Sequence, residues 1–83
     1  MSTRWLTGDT HEVVYNGPGV ARQVDFEPLD AENLVFDHRD DVPQDLRRGE
    51  GLSFLAARHM GTTDDRLRVT WIDEDGESES MTV

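Results

Sequence analysis

The stretch Val13-Val14-Tyr15-Asn16-Gly17-Pro18-Gly19-Val20-Ala21-Arg22-Gln23-Val24-Asp25-Phe26 sets two β-prone runs on either side of a turn-forming Asn-Gly-Pro-Gly. Alternating apolar residues that flank such punctuation predict strand, turn, strand. Val13 and Tyr15 then share one face of the first strand, His11 to Tyr15. In the second strand, Val20 to Phe26, Val20, Val24 and Phe26 face one way while Ala21, Gln23 and Asp25 face the other. That alternation leaves Arg22 on the apolar face, where it would sit near the strand end or stack on an aromatic ring.

The same grammar recurs along the chain. Trp5 and Leu6 fit a short edge strand, so residues 1–10 are read as either flexible or an edge strand. Pro28 closes the second strand, Leu29 to Asn33 can form one helical turn, and Leu34-Val35-Phe36 is a third strand. The polar interval from Asp37 to Gly51 shows no apolar stripe at helical period and reads as loop, pinned to the core by Val42 and Leu46. Leu52, Phe54 and Ala56 alternate with Ser53 and Leu55 in a fourth major strand, and Met60 to Asp65 is a turn. In the last hairpin a two-residue Asp75-Gly76 loop would split the apolar set between two faces. A three-residue Glu74-Asp75-Gly76 loop instead pairs Val69 with Met81 and Leu67 with Val83, which keeps one face apolar.

Six or seven short strands with frequent turns predict an all-β sandwich of about seven short antiparallel strands, in one domain spanning 1–83. The expected core is Val13, Tyr15, Val24, Phe26, Leu34, Phe36, Leu52, Phe54, Leu67, Val69, Trp71 and Met81. Three segments, Tyr15 to Val24, Leu46 to Phe54 and Leu67 to Gly76, also carry a resemblance. They are similar to an "N-x-G-x-x-x-A-x-x-V" turn, a "G-E/Q-x-x-x-F" element and a "V-x-W-x-D-x-D-G" hairpin. On these motifs, which cover about two-thirds of the chain, the sequence resembles bacterial immunoglobulin-like domains of the cell-adhesion-related type. The resemblance implies an immunoglobulin-like β-sandwich and an extracellular or envelope interaction module, often one of several in a longer chain. It implies no reaction.

Composition narrows the function classes. The 83 residues hold 18 Asp and Glu against eight Arg and no Lys, for a formal charge of −10 and a pI near 4.4. Such a surface repels phosphate backbones and anionic headgroups, so neither nucleic-acid binding nor direct membrane insertion is expected. Solubility and tolerance of high salt are the plain readings of this charge, and an acidic nucleic-acid mimic is the rarer one. Cysteine is absent, which removes disulfides and thiolate metal sites. With 35% hydrophobic residues and a mean hydropathy of −0.67, there is apolar surface for one thin core and none to spare for a deep cavity. No N-terminal apolar run marks an export signal. The expected compartment is therefore the cytoplasm if the chain is complete, and the envelope or extracellular space if it is a module excised from a longer protein.

Few residues suggest chemistry. His11, His38 and His59 lack local metal-ligand spacing, and Ser53 lies in an alternating strand rather than on a sharp elbow. Oxygen ligands for calcium are plentiful in two stretches: Asp37, Asp40, Asp41 and Asp45, and then Asp73, Asp75 and Glu77. Neither matches an EF-hand, and a solvated acidic loop explains both. Trp5 is a candidate partner anchor, the alternative being that it packs over one open end of the sandwich. Arg47 and Arg48 form a small basic spot, able to pair with the acidic loop. No cofactor is expected. The expected function is a non-catalytic protein-interaction or assembly module that binds a protein partner through loops or an edge strand. The alternatives are an acidic nucleic-acid mimic and a small metal-dependent or hydrolytic enzyme, the latter requiring a perturbed His or carboxylate in a concave pocket.

Overall fold

A computed structural model describes residues 1–38, 40–58, 61–62 and 64–83. Eight antiparallel strands form two four-stranded sheets stacked as a sandwich. They are β1 (Ser2–Thr7), β2 (Thr10–Val14), β3 (Val20–Pro28), β4 (Val35–His38), β5 (Gln44–Arg47), β6 (Gly51–Ala57), β7 (Leu67–Ile72) and β8 (Ser78–Thr82). One sheet runs β1-β2-β6-β4 and the other β5-β3-β7-β8. The free edges are therefore β1, β4, β5 and β8.

The inward residues of both sheets meet in one cluster: Val13, Tyr15, Ala21, Val24, Leu46, Leu52, Phe54, Leu67 and Val69. Phe26, Phe36, Val42, Ala56 and Trp71 are partly buried against it. The rings of Phe26, Phe36 and Phe54 lie with centroids 5.2 to 6.3 Å apart, in the tilted and edge-on arrangements that aromatic quadrupoles favour. Trp71 and Met81, expected in the core, are only half-buried because β8 ends its sheet and leaves them uncovered on one side.

The last hairpin has the three-residue register. Val69 pairs with Met81, and Leu67 and Val83 exchange both backbone hydrogen bonds, at 3.0 and 2.8 Å. The turn closes through Asp73 N–H to the Glu77 carbonyl and Gly76 N–H to the Asp73 carbonyl, with Gly76 at φ +84°. Glycine holds that left-handed position without the Cβ clash that other residues meet there.

Two expectations need correction. The interval from Asp37 to Gly51 is not all loop: Gln44–Arg47 forms β5, paired to β3. Leu46, only 1% exposed, is the one inward apolar residue of that strand, so no alternation announces it. The second correction concerns β3, whose inward set is Ala21, Val24 and Phe26 rather than Val20, Val24 and Phe26 in simple alternation. Its register shifts by one residue between Ala21 and Val24 against β5, and between Arg22 and Asp25 against β7, which is a β-bulge. Ala21 and Val24 are both fully buried, while Arg22 and Gln23 are exposed between them. Arg22 thus leaves the apolar face.

The bulge puts Gln23 at φ +53°, and its N–H donates to Asp45 Oδ1 at 3.0 Å. The bulged amide lost from the ladder is satisfied by a carboxylate on the neighbouring strand. Replacing Gln23 with Gly should therefore stabilise the domain by about 0.5–1 kcal/mol, because left-handed geometry costs an L-residue more than glycine's extra chain entropy. Asp45→Ala should cost about 1 kcal/mol, a charged hydrogen bond discounted for its exposure. Urea midpoints check both, and a destabilised Gln23→Gly variant would show that the bulge is placed wrongly.

Candidate functional site

Sheet edges and the open mouth between the sheets are where this fold can meet a ligand. The register of β1 on β2 places Thr3 opposite Val13 and Trp5 opposite His11. Opposed residues of an antiparallel pair share a face, so Thr3 and Trp5 both point to the inner side, at the rim of the sandwich. All six residues of β1 are exposed, Trp5 at 66% and Leu6 at 39%. The Trp5 indole is anchored locally, its Nε1–H donating to the Gly8 carbonyl at 2.8 Å. On the outer face, Arg4 pairs with Glu12 at 2.7 Å.

Beside β1 the two sheets splay into an open groove of about 570 Å³. Thr3, His11, Phe54 and Ala56 line it from one sheet and Leu67 and Val83 from the other, with Asp9, Arg58, Asp65 and Arg66 at its rim. The His11 ring stacks on Phe54 with centroids 5.6 Å apart, and its Nδ1 is buried with no hydrogen-bond partner among the described residues. Both arginines at the rim are held in ion pairs. Arg58 lies 3.7 Å from Asp65. Arg66 grips Asp64 bidentately, Nε to Oδ1 at 3.0 Å and Nη2 to Oδ2 at 2.8 Å. The Arg66 guanidinium, assisted by its backbone N–H, lowers the Asp64 carboxyl from 3.8 to about 2. A carboxyl depressed in the folded state stabilises it above its unfolded value and loses that contribution as pH falls through the folded one. The Asp64 contribution should therefore be complete above about pH 4 and fade towards pH 2. Carboxyl-carbon NMR should place its midpoint near 2, returning towards 3.8 in Arg66→Gln. An unchanged midpoint would sink the pairing.

The acidic candidates divide. Asp73, Glu77 and Glu79 bring carboxylate oxygens within 4.8 Å of one another. Asp75, at the hairpin tip, is not part of that group, and its backbone N–H donates to Asp73 Oδ1 at 2.9 Å, as does that of Glu77. The hairpin register explains the grouping, since Asp73 opposes Glu77 across the turn and Glu79 is two residues along on the same face. Glu79 was findable from that register. The other acidic stretch does not converge. Asp37 Oδ1 accepts from the His38 N–H, Asp40 Oδ2 from the Ser53 N–H and Asp45 Oδ1 from the Gln23 N–H, while the Asp41 carbonyl accepts from Gln44 Nε2. These contacts fasten the segment to its neighbours.

Arg47 and Arg48 are exposed at the end of β5 and, among the described residues, join no ion pair; the Arg47 backbone N–H donates to Glu50 Oε1 at 2.7 Å. His38 Nδ1 lies 2.7 Å from the Asp40 carbonyl, which it reaches as the Nδ1–H tautomer. His59 lies outside the described residues, as does part of the turn expected over Met60 to Asp65. Among the described residues no helix is long and apolar enough to cross a membrane. Comparison with protein-family models, with curated proteins and with solved structures finds no match to this chain.

Proposed function

We propose that this domain is a non-catalytic protein-recognition or assembly module that binds a partner strand along β1. One observation carries the reading. The edge strand is exposed at every residue and, among the described residues, holds the most exposed large apolar side chain, Trp5. Unpaired N–H and C=O groups along such an edge can accept an added strand, and an aromatic anchor beside them supplies burial. Natural sheets protect edges with inward charges, prolines or bulges; β1 has one bulge, after Trp5, and no inward charge.

An immunoglobulin-like assignment draws support from the connectivity. β1, β2 and β6 pair as strands A, B and E do in that architecture, and β3, β7 and β8 as C, F and G. One feature departs from it. Between the C-like and E-like strands, β4 first joins the E-like edge and β5 then joins the C-like edge, the reverse of the usual order in which a strand added beside C comes first. The compartment, cytoplasm or envelope, goes with whether the domain works alone or within a longer chain. The charge of −10 disfavours nucleic acid as partner.

The test is the native size of the protein in fractionated source cells, wild type against Trp5→Glu. The reading expects a complex larger than the 9.4 kDa chain that the variant loses. A free wild-type chain, or a complex indifferent to Trp5, would remove β1 as the recognition edge.

A further inference from the structure

The four edges differ in charge. β4 carries Asp37, β5 carries Asp45 and β8 carries Glu79, whereas β1, Ser-Thr-Arg-Trp-Leu-Thr, carries no acid. Its one cation, Arg4, is neutralised by Glu12 on the outer face. For a chain of net charge −10, β1 is the edge along which another copy can approach without setting carboxylate against carboxylate.

We infer that the strand β1 accepts is β1 of a second copy, paired antiparallel about a twofold axis so that two four-stranded sheets become one sheet of eight strands. The inference rests on the reading of β1 as the recognition edge. The strand that β1 requires is extended, exposed, free of acid and apolar on its inner side, and the molecule supplies one in itself. In an antiparallel pair opposed residues share a face, so with the twofold axis at Arg4 the Thr3 of each copy lies opposite Trp5 of the other. Each Trp5 then extends the inner face on the open side of the other copy's groove, beside Thr3 and His11. Arg4 stays on the outer face of each copy, already paired. Because the same edge is used by both copies, the contact closes on itself and stops at the dimer. The remaining charge on the two bodies repels at long range, so added salt tightens the pair, the opposite of an interface built on ion pairs.

Sedimentation velocity of the purified 83-residue chain, over a micromolar-to-millimolar dilution series at low and molar salt, tests this. The expected result is a reversible species of twice 9.4 kDa, several-fold tighter in high salt. Trp5→Glu and Thr3→Lys each place an inward charge on the edge and should both sediment as monomers. Far-UV circular dichroism confirms that each variant is folded, and the second keeps the Trp5–Gly8 bond. A monomer at every concentration overturns the inference, as does a dimer that both variants retain or an open series of larger oligomers. A purified monomer combined with a Trp5-dependent complex in cells would end self-pairing alone and leave recognition by β1 standing.

Discussion

Leu46→Ala is expected to destabilise the domain by about 3 kcal/mol, within the range of large-to-small changes at fully buried leucines. Leu46 is 1% exposed and belongs to the central cluster, although Asp45 and Arg47 on either side of it face solvent. Removing its isobutyl group opens a void between β5 and the facing sheet that short, hydrogen-bonded strands close poorly. A domain of this size holds about 5 kcal/mol in total. At about 4–8 °C per kcal/mol, the variant should melt about 12–24 °C lower. Thermal and urea unfolding measure it. A cost under about 1 kcal/mol would mean that Gln44–Arg47 is surface loop and the second sheet lacks that strand.

The second large effect is expected at Gly17. A Cβ there would meet the Tyr15 ring, with Oη at 2.8 Å and Cζ at 2.9 Å. Tyr15 is 5% exposed, and its hydroxyl donates to the Pro18 carbonyl at 2.6 Å, so the ring clamps the turn between β2 and β3 from beneath. The backbone around it is equally committed: Tyr15 N–H donates to the Glu50 carbonyl and Gly49 N–H to the Tyr15 carbonyl. Gly17→Val should displace the ring and cost about 2–3 kcal/mol, from overpacking together with the loss of a buried hydroxyl's partner. Tyr15→Phe, which keeps the ring and drops only the hydrogen bond, should cost about 1 kcal/mol. Equal costs would show that the hydroxyl, not the ring's place, governs the turn. Urea midpoints of the two variants decide it.

How much of this was legible follows the reach of each signal. The 67–83 hairpin could be read to the residue because its alternation is unbroken and only one loop length keeps Leu67, Val69, Met81 and Val83 together. The bulge in β3 could not. Gln23 adopts a left-handed conformation with no glycine to announce it, and Val20, Val24 and Phe26 look like continuous alternation. What sets the bulge is Asp45, twenty-two residues away, binding the displaced amide. β5 was hidden for a related reason, since one apolar residue in four gives no period and its strand state comes from pairing with β3. The groove was out of reach, because Thr3, His11, Phe54, Leu67 and Val83 come from five separate segments. The exposure of Trp5 was foreseen as one of two outcomes; its place on the inner side of an edge needed the β1–β2 register.

The central claim, that β1 is where this protein meets its partner, is tested most directly by a photo-crosslinking residue at Leu6 in β1 and, in a matched protein, at Thr82 in β8. Both positions are exposed on edge strands, and they lie in opposite sheets. The account predicts a discrete covalent adduct in source cells from position 6, with little or none from position 82. Adducts from position 82 alone would contradict it and move the recognition surface to the acidic edge.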